Sequence, residues 1–178
     1  MNVVLVLTVI GRDRPGLVER LAALVADQGG NWLESRMSRL GGEFAGILRL
    51  TAPVANESKL IADLAGLQSV GLTVLVRRDE LPASTPQTGR LVNLDLVGQD
   101  RPGIVRQIAA ALAARGANVE ELSTECVSAP MSGEPLFKAR ARLALPAHCD
   151  LAQIRIAVEA IAADLLVDVS LAPVAPET

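Results

Sequence analysis

Apolar and polar positions along the first half of the chain change their period several times, and each change predicts a new element. Residues 3–10 form a short apolar, β-branched run that predicts a buried strand. Apolar residues then recur with the i, i+4, i+7, i+8 spacing of a helix that has one core face. The predicted elements are a strand at 3–10, a helix carrying Leu17, Leu21, Leu24 and Val25, strands at 31–40 and 44–51, a helix carrying Leu60, Ile61, Leu64 and Leu67, and a strand at 72–76. Their order is βαββαβ.

The second half of the chain repeats this pattern, because VGQDRPGIVRQI at 97–108 matches IGRDRPGLVERL at 10–21. The offset is 87 residues as far as the hairpin and 93 after it, which predicts a six-residue insertion in the second hairpin. The predicted elements are a strand at 91–98, a helix at 102–115, a strand from Asn118, a strand at 137–145, a helix carrying Ile154, Ala157, Val158 and Ile161, and a strand at 165–171. The predicted organisation is a first domain at 1–78, a linker at 79–90, a second domain at 91–172 and a tail at 173–178.

Two such units predict an α+β architecture of two ferredoxin-like domains in tandem. Each would be an antiparallel four-stranded sheet with two helices on one face. The first strand is nevertheless apolar on both of its faces, with Val4, Val6 and Ile10 on one face and Val3, Leu5, Leu7 and Val9 on the other. A sheet that carries helices on one face does not need this. We therefore expect the other repeat or a second chain to cover that open face, and a homodimer is a candidate assembly.

The element ends carry local signals. Gly29-Gly30 is expected to end the first helix, and Gly41-Gly42 is expected to form a tight hairpin turn. Asn56 is expected to cap the second helix, and Asp150 with Gln153 to form a capping box on the last one.

Composition narrows the class of protein. The chain has 178 residues, a net charge of −3 and only three aromatic side chains, Trp32, Phe44 and Phe137. A nucleic-acid site needs clustered Lys and Arg with stacking rings, so we expect no direct nucleic-acid binding. No apolar run reaches the length of a membrane span, and Cys126 and Cys149 have no metal-binding or disulfide spacing. We expect a cytoplasmic protein with no metal, no cofactor and no membrane partner.

The repeated DRPG turn is the strongest chemical signal in the sequence. Asp13 and Asp100 are expected to be helix N-caps, with a proline two residues later in the first turn. Gly16 and Gly103 would leave backbone amides uncovered at the positive end of a helix dipole, where a carboxylate can bind. The alternative is a strand-to-helix turn that needs no ligand.

An asparagine follows each of the two helices. If the second strand returns beside the first, Asn31 and Asn118 come close to the DRPG loops. An amide offers one acceptor and two donors, so it can bind both the ammonium and the carboxylate of a small amino acid. The alternative is a turn asparagine that hydrogen-bonds its own backbone.

GRDRPGLVERLAALVADQGGNW and GQDRPGIVRQIAAALAARGANV resemble the opening of the ACT domain, a small regulatory module that binds amino acids. LESRMSRLGGEFAGILRL in the first half, with NVEEL and APMSGEPLF in the second, resembles the tandem ACT family of glycine cleavage system transcriptional repressors. That resemblance implies a repressor without a DNA-reading element that acts through a DNA-bound activator, with glycine as its signal. The ligand contacts it implies are Asp13, Arg14, Gly16, Leu17, Asn31, Asp100, Arg101, Gly103, Ile104 and Asn118.

Two other functions share this topology. A hydrolase of the acylphosphatase type would use Arg14 and Asn31, but the loop lacks that family's pattern and the chain offers no nucleophile or acid–base pair, so we expect no enzyme. RNA-recognition motifs need aromatic residues on their central strands, which are almost absent here. Glu34 and Arg36 share one face of a strand and are expected either to form a pair or to face a partner.

Overall fold

The computed structural model describes residues 1–79, 89–129, 133–147 and 149–174. The chain divides into two compact units, Met1–Pro82 and Ala83–Thr178. Each unit has the order βαββαβ and one antiparallel four-stranded sheet. The prediction of two ferredoxin-like α+β units in tandem is confirmed.

The first unit places its first strand in the middle of the sheet. Its elements are β1 (Asn2–Arg12), α1 (Leu17–Asp27), β2 (Asn31–Leu40), β3 (Glu43–Pro53), α2 (Glu57–Gly66) and β4 (Leu72–Arg78), with 3-10 turns at Val54–Asn56 and Leu67–Val70. The strand order is β2-β3-β1-β4, so β1 pairs with β3 on one side and with β4 on the other. Gly41 and Gly42 both have positive φ, as the predicted hairpin turn requires.

The core of the first unit lies between the sheet and its two helices. Leu5 and Leu7 of β1 are fully buried, and so are Leu48 and Leu50 of β3. These side chains pack in one cluster with the apolar faces of α1 and α2, including Leu21, Val25, Leu60 and Leu64. Because side chains alternate along a strand, the residues between them lie on the open face of the sheet.

The second unit repeats this arrangement. Its elements are β5 (Arg90–Gln99), α3 (Ile104–Ala113), β6 (Asn118–Ser128), β7 (Pro135–Leu145), α4 (Leu151–Leu165) and β8 (Val167–Pro173), in the strand order β6-β7-β5-β8. The predicted offset of 93 holds at β7, but it is wrong at the last strand. Leu72 and Val167 lie opposite the equivalent residues Gly11 and Gly98, an offset of 95. One extra residue lies before α4, which starts 94 residues after α2. The other lies in the helical segment, because α4 has 15 residues while α2 and its 3-10 turn together span the 14 residues Glu57–Val70.

The predicted caps have different outcomes. Asp150 caps α4, since its carboxylate accepts a hydrogen bond of 2.9 Å from the Ala152 amide. Asn56 stands at the start of α2 but makes no capping bond. Its amide instead donates to the Gln28 carbonyl at the end of α1, at 2.9 Å. The cap prediction for Asn56 is therefore wrong, because a tertiary acceptor takes the side chain.

Parts of several predictions fall outside the described residues: 80–88 of the linker, 130–132 of the second hairpin, and 175–178 of the tail. β8 extends to Pro173, two residues beyond its predicted end. None of the helices in the described part of the chain combines the length and the apolar character that crossing a membrane requires.

Candidate functional site

The turn between β1 and α1 is fixed to the neighbouring hairpin through Asp13. The Asp13 amide donates to the Gly42 carbonyl at 2.9 Å, and its carboxylate forms an ion pair with Arg39 Nε at 2.7 Å. The prediction that Asp13 caps α1 is therefore wrong. The helix begins four residues later, at Leu17. The Asp13 carboxylate binds the Arg39 guanidinium of β2 instead of a helix amide.

Gly16 is the residue that starts α1. It stands at the N-cap with a φ of 88°, makes no side-chain capping bond, and has no atom within 4 Å of the place a Cβ would take. A left-handed conformation of this kind is costly for residues with a Cβ. The first turn closes through a bond of 3.0 Å from the Arg20 amide to the Gly16 carbonyl. Leu17 is buried, and Arg14 and Pro15 are exposed before the helix.

The second unit builds the same turn with different neighbours. Gly103 is the N-cap of α3 with a φ of 95°, and the Gln107 amide bonds to its carbonyl at 3.0 Å. The side-chain nitrogen of Gln107 lies 3.8 Å from the place of a Cβ on Gly103. Asp100 is no N-cap either, since its amide bonds to the Pro135 carbonyl. The second turn is therefore more crowded than the first.

Arg101 and Ile104 complete the predicted contacts around the second turn. An Arg101 guanidinium nitrogen donates to the Gln99 side-chain oxygen at 3.3 Å, and Ile104 is buried in the core. Partial desolvation, followed by the charge of Asp100, raises the pKa of the exposed Cys126 thiol. A raised pKa lowers the fraction of thiolate, which is the nucleophilic form.

The two asparagines do not lie beside the DRPG turns of their own units. Asn31 pairs with Thr51, which pairs with Val4, whereas the turn follows Arg12 at the other end of β1. Eight residues of strand separate the two places, roughly 26 Å. The expected proximity is wrong, because α1 carries the chain back along the sheet and β2 therefore starts at the end opposite the turn.

Asn118 occupies the equivalent place in the second unit, opposite Ala144. Its side-chain nitrogen donates to a Glu120 carboxylate oxygen at 2.6 Å. It also lines a surface cavity of about 340 Å³ together with Gly89, Gly116 and Pro146. Asn118 therefore has an opening of its own, separate from the second DRPG turn.

Other residues named from the sequence take structural places. Trp32 is half-buried and packs against the first core, and Cys149 packs against the second. Glu34 lies 3.7 Å from Arg49 across the sheet, so the cation it pairs with comes from β3. Among the described residues, no group of three or more His, Cys, Asp or Glu side chains is placed to hold a metal ion.

Sequence reasoning missed Arg39 and Gln107, which shape the two turns. Arg39 could have been found, since a two-residue hairpin at Gly41-Gly42 places the end of β2 beside the end of β1 through β3. Gln107 had no distinguishing signal, because any polar side chain fits the first turn of a surface helix.

The sequence model of the ACT domain matches residues 3–77. The glycine cleavage system transcriptional repressor of Escherichia coli is 28% identical over 164 residues, which cover 90% of this chain and 85% of that protein; the Shigella flexneri repressor gives the same values. A crystal structure of an unknown protein from Galdieria sulphuraria is 31% identical, with a TM-score of 0.86 over 98% of this chain and all of that one.

Residues 3–77, which make up most of the first unit, match the ACT-domain family. The family match lies on the first unit, and the second unit has the same strand order and the same glycine-started helix. The resemblance to the tandem ACT repressors is confirmed at the level of sequence similarity along most of the chain.

Proposed function

We propose that this ACT protein senses a small amino acid, most favourably glycine, and that the amino acid's carboxylate binds at the turn before α1. The observation that carries the proposal is the left-handed Gly16, which has open space around it and no side-chain cap. The first amides of a helix lack intrahelical acceptors, and the helix dipole favours an anion there. A carboxylate can accept hydrogen bonds from these amides.

Asp13 gives the same turn a way to bind the ammonium group. Its carboxylate is held in place by the ion pair with Arg39. An amino acid whose carboxylate meets the amides after Gly16 would direct its ammonium toward Asp13, while the exposed Arg14 adds positive charge beside the carboxylate. The second turn offers Asp100, Arg101, Gly103 and Ile104 in the same roles, with Gln107 narrowing the space.

Asn31 and Asn118 belong to a separate candidate position in this proposal. A molecule of about five heavy atoms cannot span the roughly 26 Å of strand that separate each asparagine from its own turn. The cavity beside Asn118 makes the second unit the better candidate for binding at this position.

We propose further that the protein regulates transcription of glycine cleavage genes without reading DNA. Support comes from the similarity to the Escherichia coli repressor and from a composition with a net charge of −3 and few stacking rings. Such a regulator acts by contacting a DNA-bound activator, and the amino acid changes that contact only if it binds one state better than the other.

A thermal-shift titration with glycine, alanine, serine and leucine tests the amino-acid site. Ligand-efficiency bounds limit a five-atom ligand to about −7.5 kcal/mol, which is roughly micromolar at best, so millimolar ligand is needed. We expect glycine to raise the melting temperature, and the joint replacement Gly16→Ala and Gly103→Ala to abolish the shift.

Gly66→Ala is the matched control, because Gly66 is helical, exposed and far in sequence from both turns. Asn31→Ala with Asn118→Ala separates the two candidate positions: a retained glycine shift assigns the ligand to the turns. If no amino acid changes the melt, the sensing proposal fails, and turnover of an acyl phosphate by the purified chain would favour a hydrolase instead.

A further inference from the structure

The open face of the first sheet carries an apolar patch. We define this face by the outward residues of its strands: Val4, Val6, Thr8, Ile10 and Arg12 of β1, Glu34 and Arg36 of β2, Glu43, Ala45, Ile47 and Arg49 of β3, and Leu75 and Arg77 of β4. Ile10 is 50% exposed, Ile47 56% and Leu75 62%. These three side chains surround Thr8 at the centre of the face, since Thr8 pairs with both Ile47 and Leu75.

The second sheet shows that the fold does not require this patch. Asp95 takes the register position of Thr8, and its two neighbours are Arg140 in place of Ile47 and Ser170 in place of Leu75. Asp95 and Arg140 form an ion pair of 3.3 Å. Polar residues are therefore compatible with the same backbone, and the apolar residues of the first sheet call for another explanation.

Charged residues are arranged around the patch in rows across the sheet. One row runs Glu34, Arg49, Val6, Arg77 from β2 to β4, so its two ends have opposite charge. At the hairpin end, Glu43 of β3 lies opposite Arg12 of β1 in the strand register. Within one copy, Glu34 and Arg77 lie three strand spacings apart, about 14 Å, which is too far for direct contact.

We propose that this face is the interface of a symmetric dimer, in which a second copy of the chain packs face to face with the two-fold axis parallel to the strands. This symmetry places β2 over β4 of the second copy and β3 over β1 while keeping the rows in line. Glu34 then lies over Arg77 of the other copy, and Arg12 over Glu43. Each contact occurs twice, as an isologous interface requires.

The apolar residues fill the centre of the same arrangement. Ile47 lies over Thr8 of the second copy, Ile10 over Ala45, and Leu75 over the aliphatic stem of Arg36. Aligned sheets pack about 10 Å apart and about 30° off parallel, an offset that long Arg and Glu side chains can absorb. Arg49 lies over Val6 of the second copy and keeps its own ion pair of 2.9 Å with Asp79, and the other contacts match in charge and apolar character.

The size of the face sets the expected affinity. Four strands about 4.8 Å apart, paired over about seven residues, give a footprint of roughly 430 Å² on each copy. Specific interfaces usually bury about 800 Å² on each partner, so this footprint is about half the usual size and is typical of weak, transient association. We therefore expect a reversible dimer that forms in the micromolar range. The proposal does not depend on amino-acid binding.

Sedimentation equilibrium of the full chain between about 1 and 200 µM, without amino acids, tests the dimer. We expect a concentration-dependent monomer–dimer equilibrium that Leu75→Lys weakens at least tenfold. Ile156→Lys is the matched control, because Ile156 is 61% exposed on α4 and lies outside the face. Circular dichroism confirms that both variants are folded. A wild-type chain that stays monomeric overturns the proposal, whichever other molecule or segment then covers the face.

A charge exchange tests the orientation. Arg77→Glu and Glu34→Arg should each weaken the homodimer, because each places like charges opposite one another twice. An equimolar mixture of the two variants should recover the wild-type dissociation constant to within about threefold, since both contacts are again between opposite charges in the mixed dimer. The proposed interface is overturned if Leu75→Lys leaves the dimer dissociation constant unchanged. It is also overturned if the two charge variants weaken the dimer singly and their mixture does not recover the wild-type value.

Discussion

The space between the first helix and the edge strand is packed differently in the two units. In the first unit, Trp32 and Met37 of β2 are half-buried and pack against the core beside α1. In the second, Val119 and Thr124 take their register positions, and Val119 is 41% exposed. Large side chains close the first unit along this edge, and small ones leave the second open.

The side chains of the neighbouring strand, β3 in the first unit and β7 in the second, also differ in size. Leu48 of β3 corresponds to Ala141 of β7, and Gly46, which makes room for Met37, corresponds to Ala139. The second unit consequently has an apolar cavity of about 50 Å³ between α3 and β6. Two copies with one fold pattern can thus differ in packing, because the pattern specifies which residues are apolar and leaves their volumes open.

Trp32→Ala should have the largest effect. The half-buried indole packs against the first core, so its loss should lower the free energy of unfolding of the first unit by about 2–3 kcal/mol, below the value for a fully buried tryptophan. Val119→Ala should cost less than about 1 kcal/mol, because its site is already open. Amide hydrogen exchange, read separately in each unit, measures both. Equal losses would mean that the two edges are equally packed.

Gly16→Ala and Gly103→Ala should destabilise their own units by similar amounts, about 1–2 kcal/mol each, because both glycines have left-handed backbone conformations. Gly66→Ala, at a helical φ, should instead stabilise by about 0.5–1 kcal/mol. Urea unfolding followed by circular dichroism gives these differences. A neutral Gly16→Ala would show that the turn can relax to another conformation.

Exchanging the amide and carboxylate side chains at the starts of α2 and α4 distinguishes the roles of Asn56 and Asp150. Asp150→Asn should be tolerated to within about 0.5 kcal/mol, since both residues accept a bond from a helix amide. Asn56→Asp should cost about 1 kcal/mol or more, because a carboxylate cannot donate to the Gln28 carbonyl. Thermal unfolding of each variant at pH 7 compares them. The reverse order would restore Asn56 as a conventional cap.

A small pH effect should be confined to the first unit. Arg78 donates to the buried Glu57 carboxylate through two bonds of 2.6 and 2.5 Å, and this lowers the Glu57 pKa below its model-peptide value of 4.5. The folded pKa lies below the unfolded one, so the pair stabilises fully above about pH 4.5 and is lost as the pH falls through the folded pKa.

The second unit has Pro173 at the register position of Arg78 and lacks this pair. Between pH 6 and pH 3, the free energy of unfolding of the first unit should therefore fall more steeply than that of the second unit. Glu57→Gln should remove the difference. A variant with an unchanged pH profile would assign the acid sensitivity to other carboxyl groups.

Much of the fold could be predicted, because periodicity and glycine turns act locally. The repeat at 10–21 and 97–108 gave two copies of one unit, and Gly41-Gly42 forms the hairpin that its sequence indicates. The candidate site was predicted less well. Asp13 and Asp100 were assigned as caps from their spacing to the helix, whereas the structure uses Gly16 and Gly103 and gives Asp13 to Arg39.

The sequence by itself determined which residues are apolar, where the chain turns and which segments repeat, since these depend on neighbours within a few positions. Only the tertiary structure decided that β3 separates β2 from β1, and that Asn31 and Asn118 start the edge strands of their sheets. Strand order depends on pairing between residues distant in the sequence, and no local pattern encodes which of two similar strands becomes the neighbour.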